Sequence, residues 1–100
     1  MRGLHVVSLT KLRDFWLGHA ASEQALRAWY REACQASWKS FAEIKAQHRS
    51  ADCLPGNRVV FDIKGNHYRL IVKIHYNTGR LFIRFVGTHA EYSKINAETI

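Results

Sequence analysis

The chain has 100 residues, of which 47% are hydrophobic and 23% charged, so we expect one globular domain with a modest core. Fifteen Lys and Arg against eight Asp and Glu give a formal net charge of +7, which favours a polyanionic partner, nucleic acid first. No run of about 18 apolar residues and no apolar signal region occurs, so neither a membrane span nor secretion is expected. The two cysteines lack C-x-x-C spacing and are interpreted as reduced thiols of a cytoplasmic protein.

Hydrophobic periodicity predicts a short strand and then a helical region. Residues 5–9 are expected to form the strand, and residues 9–18 a first helix that ends at a glycine. Ser22 is expected to cap a second helix. Ser40 and Glu43 have the spacing of a capping box that opens a third helix. The three tryptophans all lie in this half at helical spacing, which indicates core packing.

After Pro55 the pattern changes to alternation, which is typical of strands. Three strands are predicted at residues 58–64, 67–76 and 80–88, the first two joined by a two-residue turn at Gly65-Asn66. The predicted fold is therefore α+β. It has a short N-terminal strand, two or three helices, and a three-stranded antiparallel meander with the helices packed on one sheet face.

Matching the apolar faces of the strands predicts their register. Phe61 should lie opposite Leu70 in the first hairpin, and Val72 opposite Phe85 in the second. On the other face, this register gives two polar rows: Arg58, Lys73 and Arg84 in one, and Asp62, Arg69 and Thr88 in the other. Opposed like charges in a sheet cost about 0.2–1 kcal/mol per pair. The cationic row therefore indicates either a phosphate-binding face or a solvated face whose side chains splay apart.

Residues 87–94, which follow the last strand, hold an imidazole, a carboxylate, a phenol and an amine: His89, Glu91, Tyr92 and Lys94. Histidine can exchange protons near neutral pH, so this segment is the candidate catalytic region, with a frayed polar turn as the alternative. The sequence has no metal-ligand spacing, nucleophile elbow or glycine-rich phosphate loop. No metal or other cofactor is expected.

Two motifs, Asn-x-Tyr-Arg-Leu at residues 66–70 and Gly-Thr-His-x-Glu-Tyr at residues 87–92, resemble those of the HigB toxins. These are bacterial type II toxins of the RelE-like ribonuclease superfamily, and the resemblance extends over nearly the whole of residues 1–100 as a single domain. It implies an mRNA interferase, generally ribosome-dependent, that inhibits translation and is neutralised by a HigA-type helix-turn-helix antitoxin. Such enzymes use no metal, and the ribose 2′-hydroxyl attacks the adjacent phosphate.

The resemblance also implies residue roles. Arg69 would hold the phosphate, His89 would act as acid or base, and Tyr92 would orient or stack on a nucleobase. Independently of the resemblance, the cationic row of the predicted register supplies the other expected phosphate-binding residues: Arg58, Lys73 and Arg84.

The identity of the general base stays open, because related toxins carry lysines on the strand before the hairpin, where this chain has Val60 and Asp62. His89, Lys64 and Lys94 are the candidates. Two other functions are alternatives: a catalytically silent RNA-binding module, and a regulatory module whose basic face holds an acidic antitoxin segment.

Overall fold

The fold is α+β, as predicted. The computed structural model describes residues 3–100. Its first strand and three main helices are β1 (His5–Val7), α1 (Leu9–Gly18), α2 (Glu23–Gln35) and α3 (Phe41–Gln47). The remaining elements are β2 (Asp52–Leu54), β3 (Arg58–Ile63), β4 (Tyr68–His75), β5 (Arg80–Thr88) and the short helix α4 (His89–Tyr92). No helix within residues 3–100 is long and apolar enough to span a bilayer.

The strands form one mixed sheet of five strands in the order β1-β5-β4-β3-β2. The predicted antiparallel meander is its centre, β3-β4-β5. β1 pairs in parallel with β5, and it ends earlier than predicted because Ser8 adopts a left-handed conformation with φ 72° before α1 begins. The strand β2, which the sequence pattern missed, has only three residues and pairs with the first half of β3.

The register of the first hairpin is confirmed. Phe61 lies opposite Leu70, and Asp62 lies opposite Arg69. At the turn, the backbone N–H of His67 donates to the Lys64 carbonyl at 3.2 Å. Gly65 occupies the first central position with φ 67°, a conformation that favours glycine.

The predicted register of the second hairpin is wrong, by two residues next to the turn and by one residue beyond a bulge. The N–H groups of Thr78 and Gly79 both donate to the His75 carbonyl, which closes a tighter loop and pairs His75 with Arg80. Val72 therefore lies opposite Ile83 rather than Phe85. The two-residue shift keeps Leu81 and Ile83 on their expected core face, which is why alternation alone could not detect it. Phe85, however, pairs with Ile71 and lies on the face of Arg69 rather than on the predicted core face, and Val86 packs against the core instead.

A bulge between Ile71 and Val72 then leaves Arg84 without a partner in the ladder. The register shift and the bulge together change both predicted polar rows. Lys73 faces Phe82 rather than Arg84, and Arg69 faces Gly87 rather than Thr88.

The helices cover one face of the sheet with an aromatic core. Trp16, Trp29 and Trp38 are only 8%, 3% and 4% exposed, which confirms the core interpretation of the tryptophans. The ring of Phe61, on β3, meets Trp29 edge-to-face at a centroid distance of 5.4 Å and stacks with Trp38 at 6.1 Å.

The two predicted helix caps differ in detail from the expectation. Ser22 does precede α2, but its hydroxyl donates to the His19 carbonyl at 2.7 Å and makes no capping bond. At α3, the Glu43 carboxylate accepts from the backbone N–H of Lys39 at 2.9 Å rather than from that of Ser40. The helices begin where the cap residues predict, with other hydrogen bonds in place of the expected ones.

Candidate active site

Three of the predicted catalytic side chains come together at the end of the sheet, on the face away from the helices. Arg69 projects from β4, and His89 and Tyr92 lie on α4. The Nη2 atom of Arg69 lies 3.2 Å from Nε2 of His89, and its guanidinium carbon lies 4.8 Å from the centre of the Tyr92 ring. A cation above a tyrosine ring is attracted by the negative face of the ring. Tyr92 therefore supports the guanidinium, and His89 shares one of its hydrogens.

Asp62 fixes Arg69 from the neighbouring strand. Its Oδ1 lies 2.9 Å from Nε of Arg69, and the two side chains are 22% and 20% exposed. Nε of Arg69 is buried and makes no hydrogen bond within the described residues. Its contact with Asp62 is therefore an ion pair without hydrogen-bond geometry. The carboxylate compensates the charge of Arg69 and leaves part of its fork available to an incoming anion.

The contact with Arg69 determines which nitrogen of His89 carries the proton. A guanidinium only donates hydrogen bonds, so Nε2 of His89 must be the acceptor. In this arrangement the imidazole is neutral and protonated on Nδ1. A group that takes over the Arg69 hydrogen would release the Nε2 lone pair, and His89 could then accept a proton there.

A reciprocal capping box holds α4 in place. The Thr88 hydroxyl accepts from the Glu91 backbone N–H at 3.1 Å, while the Glu91 carboxylate accepts from the Thr88 backbone N–H at 2.8 Å. Gly87 is required just before it, because a Cβ there would lie 2.6 Å from the Phe85 ring and 2.8 Å from the Glu91 carboxylate. The Thr-x-x-Glu spacing at residues 88–91 is a signal from which this positioning role could have been predicted.

The two candidate lysines lie outside the cluster. Lys64 occupies the turn between β3 and β4 with φ 55°, and Lys94 lies just beyond α4, where its backbone N–H donates to the Glu91 carbonyl. Both residues are exposed, and neither ammonium group makes a hydrogen bond or an ion pair with the part of the chain that the structure describes.

Two of the predicted phosphate-binding arginines converge despite the corrected register. The Nε atoms of Arg58 and Arg84 both donate to the main-chain oxygen of Ile100, at 3.2 and 3.3 Å. Lys73 lies beside Arg58 as its ladder partner on β4. Arg84 has no partner in the ladder, but its side chain still reaches the same oxygen acceptor as that of Arg58.

A cleft of about 310 Å³ lies on the other side of Asp62, between α2, the end of α3 and β3. His48 lines it, with Nε2 3.3 Å from a Glu32 carboxylate oxygen. Burial lowers the pKa of His48 below its ordinary value of 6.5, against the opposing effect of Glu32. Within residues 3–100, no group of three or more His, Cys, Asp or Glu side chains is placed to hold a metal ion.

Comparison with known proteins identifies the family of this chain. The sequence model of the HigB_toxin family, described as the RelE-like toxic component of a toxin-antitoxin system, matches residues 22–95. The mRNA interferase HigB of Escherichia coli O6:H1 is 23% identical over 94 residues, which cover 92% of this chain and 91% of the relative. The family match spans most of the chain, including every residue of the cluster. The chain therefore belongs to the HigB family of RelE-like toxins of toxin-antitoxin systems.

Proposed function

We propose that this toxin is an mRNA interferase that cleaves mRNA on the ribosome by attack of a ribose 2′-hydroxyl, without a metal. The observation that carries the proposal is that Arg69, His89 and Tyr92 come together at one point of the surface. They belong to two motifs that lie apart in the sequence. The cluster supplies a cation for the pentavalent phosphate and a group that transfers protons, the two requirements of this chemistry. The similarity to an mRNA interferase supports the same conclusion.

Arg69 would couple phosphate binding to activation of His89. In the free chain, Nη2 of Arg69 donates a hydrogen bond to Nε2 of His89, and a bound phosphate oxygen would accept that hydrogen bond instead. Nε2 of His89 is then free to accept the proton of the 2′-hydroxyl, and the 2′-oxygen attacks the adjacent phosphorus in line. Asp62 stays paired with Nε of Arg69 and keeps the guanidinium oriented throughout.

The products would be a 2′,3′-cyclic phosphate and a 5′-hydroxyl, whose oxygen needs a proton as it leaves. With His89 as the base, the Tyr92 phenol would donate this proton from within the cluster, and Lys64 and Lys94, from the flanking turn and segment, are the fallback groups. Arg58, Lys73 and Arg84 would bind the phosphates that flank the cleaved one.

The partners follow from the same assignment. We propose a HigA-type helix-turn-helix antitoxin as the neutralising protein and the cytoplasm, where mRNA is translated, as the place of action.

The test is a translated mRNA in which the nucleotide at the mapped cleavage site carries a 2′-deoxyribose. Ribosomes and Mg²⁺ stay unchanged, so this substitution removes the attacking hydroxyl and nothing else. We expect cleavage at that site to stop, and unmodified mRNA to yield cyclic-phosphate and 5′-hydroxyl ends. Continued cleavage of the deoxy-substituted site, or 3′-hydroxyl products, would overturn the mechanism. RNA binding with no cleavage by the wild-type chain would favour the silent binding module.

A further inference from the structure

The bulge in β5 places two consecutive side chains on the outer face of the sheet, the face away from the helices. In a regular strand, neighbouring side chains point to opposite faces. Phe85 pairs with Ile71 and therefore shares the outer face with Arg69. Arg84 has no ladder partner, and its side chain reaches the same oxygen as that of Arg58. A cation and an aromatic ring thus lie side by side on this face, and bulges often re-aim a side chain next to a functional site.

The ring of Phe85 lies close to the candidate active site. A Cβ on Gly87 would lie only 2.6 Å from the Cζ atom of this ring, so the ring lies against Gly87, which is the ladder partner of Arg69. The centres of the Phe85 and Tyr92 rings are 6.5 Å apart. The bulge therefore brings an aromatic side chain beside the groups that would contact the cleaved phosphate.

The position of Phe85 forgoes core packing. Alternation predicts this residue in the core, yet Val86 packs against the core instead and the Phe85 side chain stays half-buried. A half-buried phenylalanine gives up part of the hydrophobic stabilisation that full burial would provide. A ligand that covers the ring would recover it.

An open cleft of about 420 Å³ borders this pair of side chains, between α1 and β5. Its lining includes Arg84 and Phe85 from the strand and Lys11 from the helix, with Asp14 as the acidic residue. The volume falls within the range of about 300–1,000 Å³ that is typical of ligand sites. Two cations and an aromatic ring beside an open cleft match the phosphate and the base of a nucleotide.

Phe85 is more available for stacking than Tyr92. The guanidinium of Arg69 already lies over the Tyr92 ring, 4.8 Å from its centre. Within residues 3–100, no cation lies over the Phe85 ring. Stacking of a base requires an open ring face and is possible for every base, because each has a π-face. The stacking role expected of Tyr92 therefore falls to Phe85, and the Tyr92 phenol is left for proton transfer.

We infer that Phe85 stacks on a nucleobase of the mRNA beside the cleaved phosphate, while Arg84 binds the phosphate of the same nucleotide. The inference rests on the proposed function and adds a nucleotide subsite to it. The ligand is a single-stranded segment, because the bases of a duplex stack on one another and leave no face for the ring. Stacking is the same before and during the reaction, so Phe85 affects substrate binding and not the chemical step.

The test titrates the full-length toxin, at low salt, into a short oligoadenylate that carries 2-aminopurine, an adenine analogue whose fluorescence falls when it stacks. The wild-type chain should bind and quench the fluorescence. Phe85→Leu keeps an apolar cover over Ile71 but has no ring, so the affinity should fall about five- to tenfold and most of the quenching should disappear. Phe85→Tyr, which keeps the ring, should bind like the wild type.

Phe82→Leu is the matched control. Phe82 is also half-buried on the outer face of β5, but it lies opposite Lys73 and on the far side of the bulge from the candidate active site. Its replacement should change the affinity by less than about twofold. If Phe85→Leu does not fold, Phe85→Met provides the same loss of the ring with another flexible apolar side chain.

Cleavage on programmed ribosomes gives a second measurement. Phe85→Leu should raise the toxin concentration for half-maximal cleavage about five- to tenfold and leave the maximal single-turnover rate within about twofold of wild type. Equal losses in Phe85→Leu and Phe82→Leu, wild-type binding without quenching, or no binding by the wild-type chain would overturn the inference. The fluorescence needs no cleavage. A toxin that stacks the base but cuts no mRNA would overturn the proposed nuclease alone, and one that cuts mRNA with Phe85→Leu unaffected would overturn the stacking site alone.

Discussion

Replacement of Arg69 should separate its structural role from its chemical one. Arg69→Ala removes the partner of Asp62, and the two side chains are four-fifths buried. An exposed pair contributes about 0–1 kcal/mol, whereas loss of one member of a fully buried pair costs about 3–5 kcal/mol. We therefore expect the free energy of unfolding to fall by about 2 kcal/mol. For a domain of this size that corresponds to a fall in Tm of about 8–16 °C.

The double variant Asp62→Asn/Arg69→Ala distinguishes the two roles. The double variant no longer carries the unpaired carboxylate, so its Tm should recover about half of the fall seen in Arg69→Ala. Growth arrest and single-turnover mRNA cleavage should stay at least about 100-fold below wild type, because the phosphate cation is still missing. Arg27→Ala, which breaks an exposed pair with Glu23, is the matched control for stability and should change Tm by only a few degrees. Recovery of cleavage together with stability in the double variant would refute the phosphate role of Arg69.

Four further outcomes are expected. His89→Gln should reduce single-turnover cleavage by about 10²–10⁴-fold, and a wild-type rate would move the proton transfer to the lysines. Thr88→Ala, which weakens the cap of α4, should lower cleavage by about fivefold, whereas Thr78→Ala in the β4–β5 turn should not. Arg84→Ala should reduce the log–log salt slope of ribosome binding by about one unit or slightly less. Acidification from pH 7.5 towards 5 should lower the Tm of the wild-type chain more than that of the His48→Phe variant. The pKa of His48 is lowered in the folded chain, so the unfolded chain binds the proton at a higher pH and is favoured as the pH falls. Parallel curves of Tm against pH for the two proteins would contradict this.

The sequence was sufficient to predict those features that depend on local pattern. Helix α1, the tryptophan core and the register of the β3–β4 hairpin follow from periodicity and from the glycine at the turn. The cluster of Arg69, His89 and Tyr92 was predicted through the resemblance of two motifs, and the structure brings all three together.

Features that depend on long-range packing were beyond prediction. The apolar alternation of the sequence runs on through Phe85, so it does not report the bulge at Arg84, which turns Phe85 to the outer face and Val86 towards the core. Strand β2 is only three residues long and lies at the edge of the sheet, where β3 is the one strand it pairs with. The hydrogen bond from Arg58 to the main-chain oxygen of Ile100 connects residues 42 positions apart, and it depends on the path of the C-terminal segment.

The two cationic parts of the proposed RNA-binding face differ in what an incoming phosphate must displace. At Arg58 and Arg84 the competitor is one main-chain oxygen, that of Ile100, and because two guanidinium groups share it the pair keeps a net positive charge. At Arg69 the charge is already compensated by Asp62, so this residue adds little to long-range attraction and acts once the phosphate is close enough to take the hydrogen from His89. Encounter with RNA should therefore depend on the first pair and the chemical step on Arg69. This division explains why the salt slope and the cleavage rate should respond to different substitutions.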